Sequence, residues 1–356
     1  MLLVRRVSLR LRRLTQRRLS VLNTSVLVFG SNTDVGKTVV SAGLLRDKAI
    51  PRKGMYMKPI QTGETKDTEF IAQYCLEQEV ELRTLYHWKL AASPHISARS
   101  SPTLPSDEDV VFKIQEEVET FVKQGQDQTT LVVIETAGGV LSPGPSGLPQ
   151  ASMYHQLRLP VVLVGDSRLG GISATLAAYE ALFTRAYQIP LVVMIDCEDG
   201  RSDQYGNADY LREYFSTLHS KSTSALAETP EVFRLSPLPD RTIPLLEWFH
   251  KNETTFTKIN QQLDAFISSY NERLLHMLQE GTRNIWWPFT QHRNVSKNDV
   301  TLIESAQRDH FHTIKSFEME RRTAGHTYVN GLVTRNMFDA CASWWTQVSH
   351  NIKSVK

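Results

Sequence analysis

The stretch GSNTDVGKT (30–38) gathers the groups needed to hold a phosphate chain. It has GxxxxGK[ST] spacing, follows an apolar β-branched run and opens a helical pattern. Gly30 and Gly36 permit backbone angles that turn successive N–H groups inward around phosphate oxygens. The helix behind them adds its N-terminal dipole. Lys37 can reach β- and γ-phosphates, and the Thr38 hydroxyl can ligate Mg²⁺. The bland alternative, a glycine turn with an incidental lysine, is disfavoured by the strand–loop–helix setting. Such a loop names no reaction by itself, because switches, motors, kinases and ligases share it.

Two further segments narrow the chemistry. MKPIQTG (57–63) puts Lys58 at a strand's carboxyl end, where it can neutralise charge on a transferring phosphoryl group. A snorkelling surface lysine is the competing view. VVIETAGG (132–139) puts Glu135 where P-loop enzymes place a metal-binding acid, with Gly138 and Gly139 allowing close backbone approach. A helix-capping or salt-bridged glutamate is its plainer counterpart. Mg²⁺ favours several oxygen ligands, so Thr38, Glu135 and one further acid would make a suitable set.

These residues need a scaffold that brings strand ends together. SVLVFG (25–30), MYMKPI (55–60), LVVIET (131–136), VVLVGD (161–166) and LVVMID (191–196) read as buried strands of a parallel sheet. VGKTVVSAGLLRD, DTEFIAQYCLEQ, EDVVFKIQEEVETFVKQG and GISATLAAYEALFTRAY are helical patterns between them. The alternation predicts an α/β, P-loop NTPase-like fold: a mostly parallel sheet with helices on both faces and ligands at the carboxyl ends of the strands. EVFRLSPLPD supplies another short strand, and residues 243–279 a long helical region. Near residue 281 the texture changes. GTRNIWWPFTQHRN carries paired tryptophans and a proline, and the remaining stretch reads as too short and irregular to bury its own core.

Composition excludes several classes. No apolar run approaches the roughly eighteen residues that would cross a bilayer. Cys75, Cys197 and Cys341 are far apart, which argues against a disulfide framework or zinc site. The opening MLLVRRVSLRLRRLTQRRLS holds seven arginines, and no acid precedes Asp34. Without those seven, 33 of the 40 basic residues face 38 acidic ones, leaving −5 on the rest of the chain. A basic, acid-free start with interleaved Leu and Val reads as a mitochondrial targeting peptide over 1–24. A solvated tail binding RNA or a membrane surface is the alternative.

Taken in order, GSNTDVGKT, KPIQTG, SPH (93–95), ETAGGVLSPGPSG and VGDSRLGGISATLAAYEAL resemble the dethiobiotin synthetases over roughly 25–245. The lengthened ETAGG…SPGPSG segment and LGGIS are more similar to the eukaryotic bifunctional form, fused to diaminopelargonic acid aminotransferase. IWWPFTQH (285–292) and FDACASWWTQ (338–347) resemble two motifs from the N-terminal part of that aminotransferase. The resemblance then stops at VSHNIKSVK, a stretch with the look of translated intron. The expected layout is a synthetase domain over 25–280 and an incomplete, poorly ordered aminotransferase fragment over 281–356, without transaminase activity.

The resemblance implies that 7,8-diaminononanoate, CO₂ and ATP give dethiobiotin, ADP and phosphate, with ATP and Mg²⁺ required. It places Gly30, Thr33, Asp34, Val35, Gly36, Lys37 and Thr38 around the nucleotide, with Thr33 and Asp34 also meeting the substrate amine. Lys37, Lys58 and Thr62 become the catalytic group. Thr38, Asp67 and Glu135 match the metal ligands, although Glu64 and Glu69 lie beside Asp67. Gly170, Gly171, Ile172 and Ser173 would take the substrate's far carboxylate from the opposite subunit of a homodimer. An asparagine that reads adenine in the bacterial pattern falls near Ile195–Asp196 here. The implied location is the mitochondrial matrix, with no nucleic acid or membrane as partner. Three other readings compete: a glutamine-dependent amidoligase, disfavoured because no suitable cysteine-plus-histidine region follows residue 240; a partitioning or switch ATPase, disfavoured by Ser31 where a signature lysine would stand; and an inactive truncated product.

Overall fold

A computed structural model describes residues 23–284, apart from short internal gaps, together with Leu302–Gln307, His310–Ser316, Thr327–Val329 and Leu332–Phe338. The expected targeting peptide, the IWWPFTQH motif, nearly all of FDACASWWTQ and the closing VSHNIKSVK lie outside the described residues.

Within Asn23–Phe266, which forms one compact unit, the apolar runs become strands because their side chains are covered on both faces. Val26–Phe29, Leu131–Ile134 and Val161–Val164 have almost no exposed surface. The strands are β1 (Asn23–Gly30), β2 (Lys53–Thr62), β3 (Val80–Trp88), β4 (Thr130–Gly139), β5 (Val161–Val164), β6 (Leu191–Ile195) and β7 (Glu231–Leu235). They form one sheet in the order β3-β2-β4-β1-β5-β6-β7, with every pairing parallel. The chain leaves β1 toward β2 on one side and later continues to β5 on the other. That reversal opens a crevice at the carboxyl end of β1, between β4 and β5.

Strand β3 escapes the pattern of apolar runs. VELRTLYHW is half-buried along nearly its whole length and sits at the sheet's edge, where polar side chains are tolerated on the open face. The main helices are α1 (Lys37–Leu45), α2 (Asp67–Tyr74), α3 (Asp107–Gln124), α4 (Gly171–Phe183), α5 (Asn207–Lys221) and α6 (Leu245–Asn284). Helix α3 starts at a capping box, in which Ser106 and Asp109 satisfy each other's backbone N–H.

Helix α1 is clamped by a ring from α6. A Cβ added to Gly43 would lie 2.0 Å from Phe256 Cζ and 2.1 Å from its Cε1. Phe256 is buried and packs against Trp248 and Phe249, so it has little room to yield. Gly43→Ala should therefore destabilise the protein by about 1–3 kcal/mol through overpacking. Helix propensity alone would make alanine about 1 kcal/mol better than glycine at an interior position. Urea unfolding decides between them, and a raised midpoint would refute the clamp.

Ile267 onward belongs to a second compact unit. There β8 (Leu302–Gln307), β9 (His310–Ser316), β10 (Thr327–Val329) and β11 (Leu332–Phe338) form an antiparallel sheet in the order β10-β11-β9-β8. Leu302 and Ile314 are buried with Leu274, and Tyr270, Leu275 and Met277 pack against them. Of this cluster only Leu302 and Ile314 lie beyond residue 281. The rest of the apolar surface comes from the later turns of α6, a helix that runs past residue 280 to Asn284.

Candidate active site

Strands β2 and β4 pair from Lys53↔Thr130 to Met57↔Ile134, and there the pairing ends. Lys58 and Glu135 are the next residues along each strand. Their side chains meet where the two strands part. The two-residue alternation of a strand puts Tyr56 on the same face as Lys58, and α1 packs on β4.

Four donors converge on the Glu135 carboxylate. Lys58 Nζ at 2.7 Å and Thr38 Oγ1 at 2.9 Å donate to Oε1. Tyr56 OH at 2.9 Å and Ser41 Oγ at 3.0 Å donate to Oε2. Lys58 Nζ also lies 2.7 Å from Asp67 Oδ2 and donates to the Thr136 carbonyl at 3.2 Å. The ammonium is thus shared by two carboxylates. Of the three acids around TKDTEF, Asp67 reaches it, while Glu64 and Glu69 are exposed. Asp67 opens α2, and its N–H donates to Gln61 Oε1 at 3.2 Å, tying the helix start to the end of β2.

The phosphate loop borders this cluster. Lys37 is buried, with Nζ donating to the Asn32 carbonyl at 3.4 Å. Val35 is buried, whereas Thr33 and Asp34 are exposed. Asp34 has φ 56° and Gly36 φ 92°, two left-handed positions in one short turn. A side chain at Gly36 would be strained and would also meet Ile195 Cδ1 at 2.4 Å. The end of β6 therefore abuts the loop. Beside it, Asp196 is held by Arg234 Nε at 2.7 and 2.8 Å, so an ion pair stands where an asparagine is expected.

Thr62 is half-buried at the end of β2, opposite Trp88 of β3. Gly170 (φ 87°) precedes α4; it and Ser173 are exposed, Ile172 is half-buried and Gly171 is buried. Arg168, just before this turn, clasps Asp166 at 2.9 and 2.7 Å. Its charge is favoured chiefly by those hydrogen bonds, with a smaller contribution from Asp34 of the loop. The structure thus joins Thr38, Lys58, Asp67 and Glu135 directly. Thr62 ends β2, and Gly170–Ser173 follow β5, with β4 and β1 between those two strands. Tyr56 and Ser41 have no counterpart in the motif reading, and Gln61, inside KPIQTG, is given no role there. A hydroxyl within a buried apolar run was the available signal for Tyr56.

Electrostatics explain why the cluster stays charged. Burial pushes Glu135 up, but the attraction and hydrogen bond of Lys58 hold it below its ordinary 4.5. Burial likewise pushes Lys58 down, and Glu135 with Asp67 outweigh it, holding the ammonium above 10.5. Among the described residues Lys37 has no direct carboxylate partner. Burial dominates and lowers it below 10.5, only partly offset by Glu135. Tyr56 is raised well above 10.0 by burial and by Glu135, so its hydroxyl remains a donor.

The pair should hold the fold across a wide pH window. The Glu135 contribution is present above 4.5 and is lost as pH falls through its depressed value. That of Lys58 is present below 10.5 and is lost as pH rises through its raised value. The urea midpoint of the wild type should exceed that of Glu135→Gln by a constant margin at neutral pH, and the margin should narrow below 4.5. A margin unchanged in acid would mean that the carboxylate is not held ionised.

A hydroxyl and two carboxylates are hard oxygen donors that fit Mg²⁺, and the Lys58 ammonium already shows that a cation is accommodated between Asp67 and Glu135. Among the described residues no three His, Cys, Asp or Glu side chains cluster as a metal site. A divalent ion here would draw its other oxygens from Thr38, water and phosphate.

Comparison with known proteins agrees with this geometry. A family described as an AAA domain matches residues 24–237. The bifunctional dethiobiotin synthetase/adenosylmethionine-8-amino-7-oxononanoate aminotransferase of Emericella nidulans is 33% identical over 333 residues, covering 90% of this chain and 39% of that protein. The mitochondrial bifunctional dethiobiotin synthetase/7,8-diamino-pelargonic acid aminotransferase of Oryza sativa subsp. japonica is 33% identical over 378 residues, covering 90% and 42%. The chain therefore spans about two fifths of the length of these relatives. The ATP-dependent dethiobiotin synthetase BioD of Rhodopseudomonas palustris is 31% identical over 186 residues, covering 51% of this chain and 80% of that shorter protein. With a phosphate loop, a lysine and a carboxylate meeting at adjoining strand ends, the chain belongs to the dethiobiotin synthetase family.

Proposed function

We propose that the protein closes the ureido ring of dethiobiotin from 7,8-diaminononanoate, CO₂ and ATP, releasing ADP and phosphate. The observation that carries this reading is the Lys58 ammonium held between Glu135 and Asp67, with Thr38 on the same glutamate oxygen. One substrate amine captures CO₂ as a carbamate. ATP phosphorylates that carbamate, and the second amine attacks the mixed anhydride, expelling phosphate.

The chain's own residues supply position and charge more than covalent help, as phosphoryl transfer requires. Backbone N–H groups of the 30–38 loop cradle the phosphates, and Lys37 holds the β- and γ-phosphates. Lys58 swings from its carboxylates to the carbamate and the transferring phosphoryl group. Thr62 binds the amine or carbamate end, with Thr33 and Asp34 on the loop side. Thr38, Asp67 and Glu135 would hold Mg²⁺, which when bound neutralises charge on the phosphate oxygens. Holding both ends of one molecule in attack geometry with water excluded favours ring closure. The turn at Gly170–Ser173, exposed at Gly170 and Ser173 and with Leu169 81% exposed beside it, suits a homodimer in which one copy meets the far carboxylate of substrate in the other. A matrix location agrees with the mitochondrial designation of the Oryza sativa relative.

Purified chain incubated with ATP, bicarbonate and diaminononanoate should yield dethiobiotin by mass spectrometry and one ADP per product. ATP turnover indifferent to the diamine would instead indicate a switch ATPase. No turnover would indicate an inactive product.

A further inference from the structure

We infer that Tyr56 and Ser41 are positioning residues that fix the Glu135 carboxylate so that its Oε1 alone is presented to a divalent cation. The inference rests on the reading of Glu135 as a metal ligand. It adds two side chains that touch neither substrate nor metal.

Both residues are costly local choices. Tyr56 is completely buried between Met55 and Met57, where phenylalanine would fill nearly the same volume without a hydroxyl to satisfy. Ser41 is completely buried inside α1, where alanine is the better helix former and a serine hydroxyl tends to bond its own helix backbone. Both hydroxyls instead point at one oxygen, Glu135 Oε2, at 2.9 and 3.0 Å. The other oxygen is shared by Lys58 and Thr38, which the chemistry has to rearrange.

This division lets the site change state without losing its carboxylate. When Lys58 turns to a phosphate, Oε1 loses a donor while Oε2 keeps two. The carboxylate plane holds, and Oε1 faces the cleft. With one hydroxyl removed, the group can rotate about its last bond, and the ligand oxygen is no longer held where Thr38 meets it. Outer hydrogen bonds of this kind typically tune metal affinity by about 10–100-fold.

The test is Mn²⁺ binding to the complex of the full chain with ADP, followed by electron paramagnetic resonance, for Tyr56→Phe, Ser41→Ala and Ser41→Thr. The first two should weaken Mn²⁺ about tenfold. The threonine variant, which keeps the hydroxyl, should bind as the wild type does. In turnover, the Mg²⁺ concentration for half-activity should rise in the first two while the KM for diamine stays put. If Tyr56→Phe fails to fold, the serine pair carries the test alone. A wild type that binds Mn²⁺, with Ser41→Ala and any folded Tyr56→Phe within twofold of it, overturns this inference only. A wild type that binds no Mn²⁺ with ADP overturns the metal reading of Glu135 as well.

Discussion

Lys58→Met should cost the protein both its stability and its turnover. The Lys58 side chain is 5% exposed and faces a Glu135 side chain that is 1% exposed. Methionine keeps the bulk and leaves the carboxylate with three hydroxyl donors and only the weaker attraction of Lys37 for compensating charge. Breaking a buried pair in this one-sided way costs about 3–5 kcal/mol. For a domain of this size each kcal/mol lowers the melting temperature by about 2–4 °C. Turnover should fall by at least about 10²–10³-fold, the usual loss when a group that stabilises developing charge is removed. The double variant Lys58→Met/Glu135→Gln should regain most of the stability and none of the activity, because the amide carries no charge to strand. Differential scanning calorimetry reads the first effect and ADP release the second. A Lys58→Met protein that melts within a degree or two of the wild type would mean that the ion pair contributes nothing to the fold.

Lys37→Ala should separate the two effects. Its ammonium is buried against the loop carbonyl of Asn32, and burial lowers its pKa below 10.5. A lysine pushed in that direction is held charged at a cost to the fold. The cost is present while it stays protonated, at neutral pH, and is relieved as pH rises toward its unfolded value. Removing the charge should leave the melting temperature unchanged or higher, while phosphoryl transfer drops by about 10³-fold or more. The two lysines thus make opposite calorimetric predictions with the same kinetic one. A loss of stability in Lys37→Ala equal to that in Lys58→Met would show that the loop lysine is structural.

The contrast also marks where sequence is informative. β1, β2, β4, β5 and β6 are readable because strands covered on both faces must be apolar throughout, and the 30–38 loop because its spacing is dictated by phosphate. Asp67 is not separable from Glu64 and Glu69 by spacing, since three acids within six residues differ only in how α2 starts. Tyr56 and Ser41 are hidden for another reason. Each sits in an apolar run and acts on a residue 79 or 94 positions away, a pairing set by sheet order and by the packing of α1. The sheet beyond residue 301 was missed because its apolar cover comes from α6.

Strand β3 is hard to read as a strand because of its charges, and those charges also act on the sheet's border. Glu81 and Arg83 pair with each other, and with Lys53 and Glu117, along a border whose far side has no neighbour among the described strands. An open border is a template on which another chain could extend the sheet, and ionised side chains along it discourage such growth. Extension of the sheet by another chain across the β3 border is therefore disfavoured.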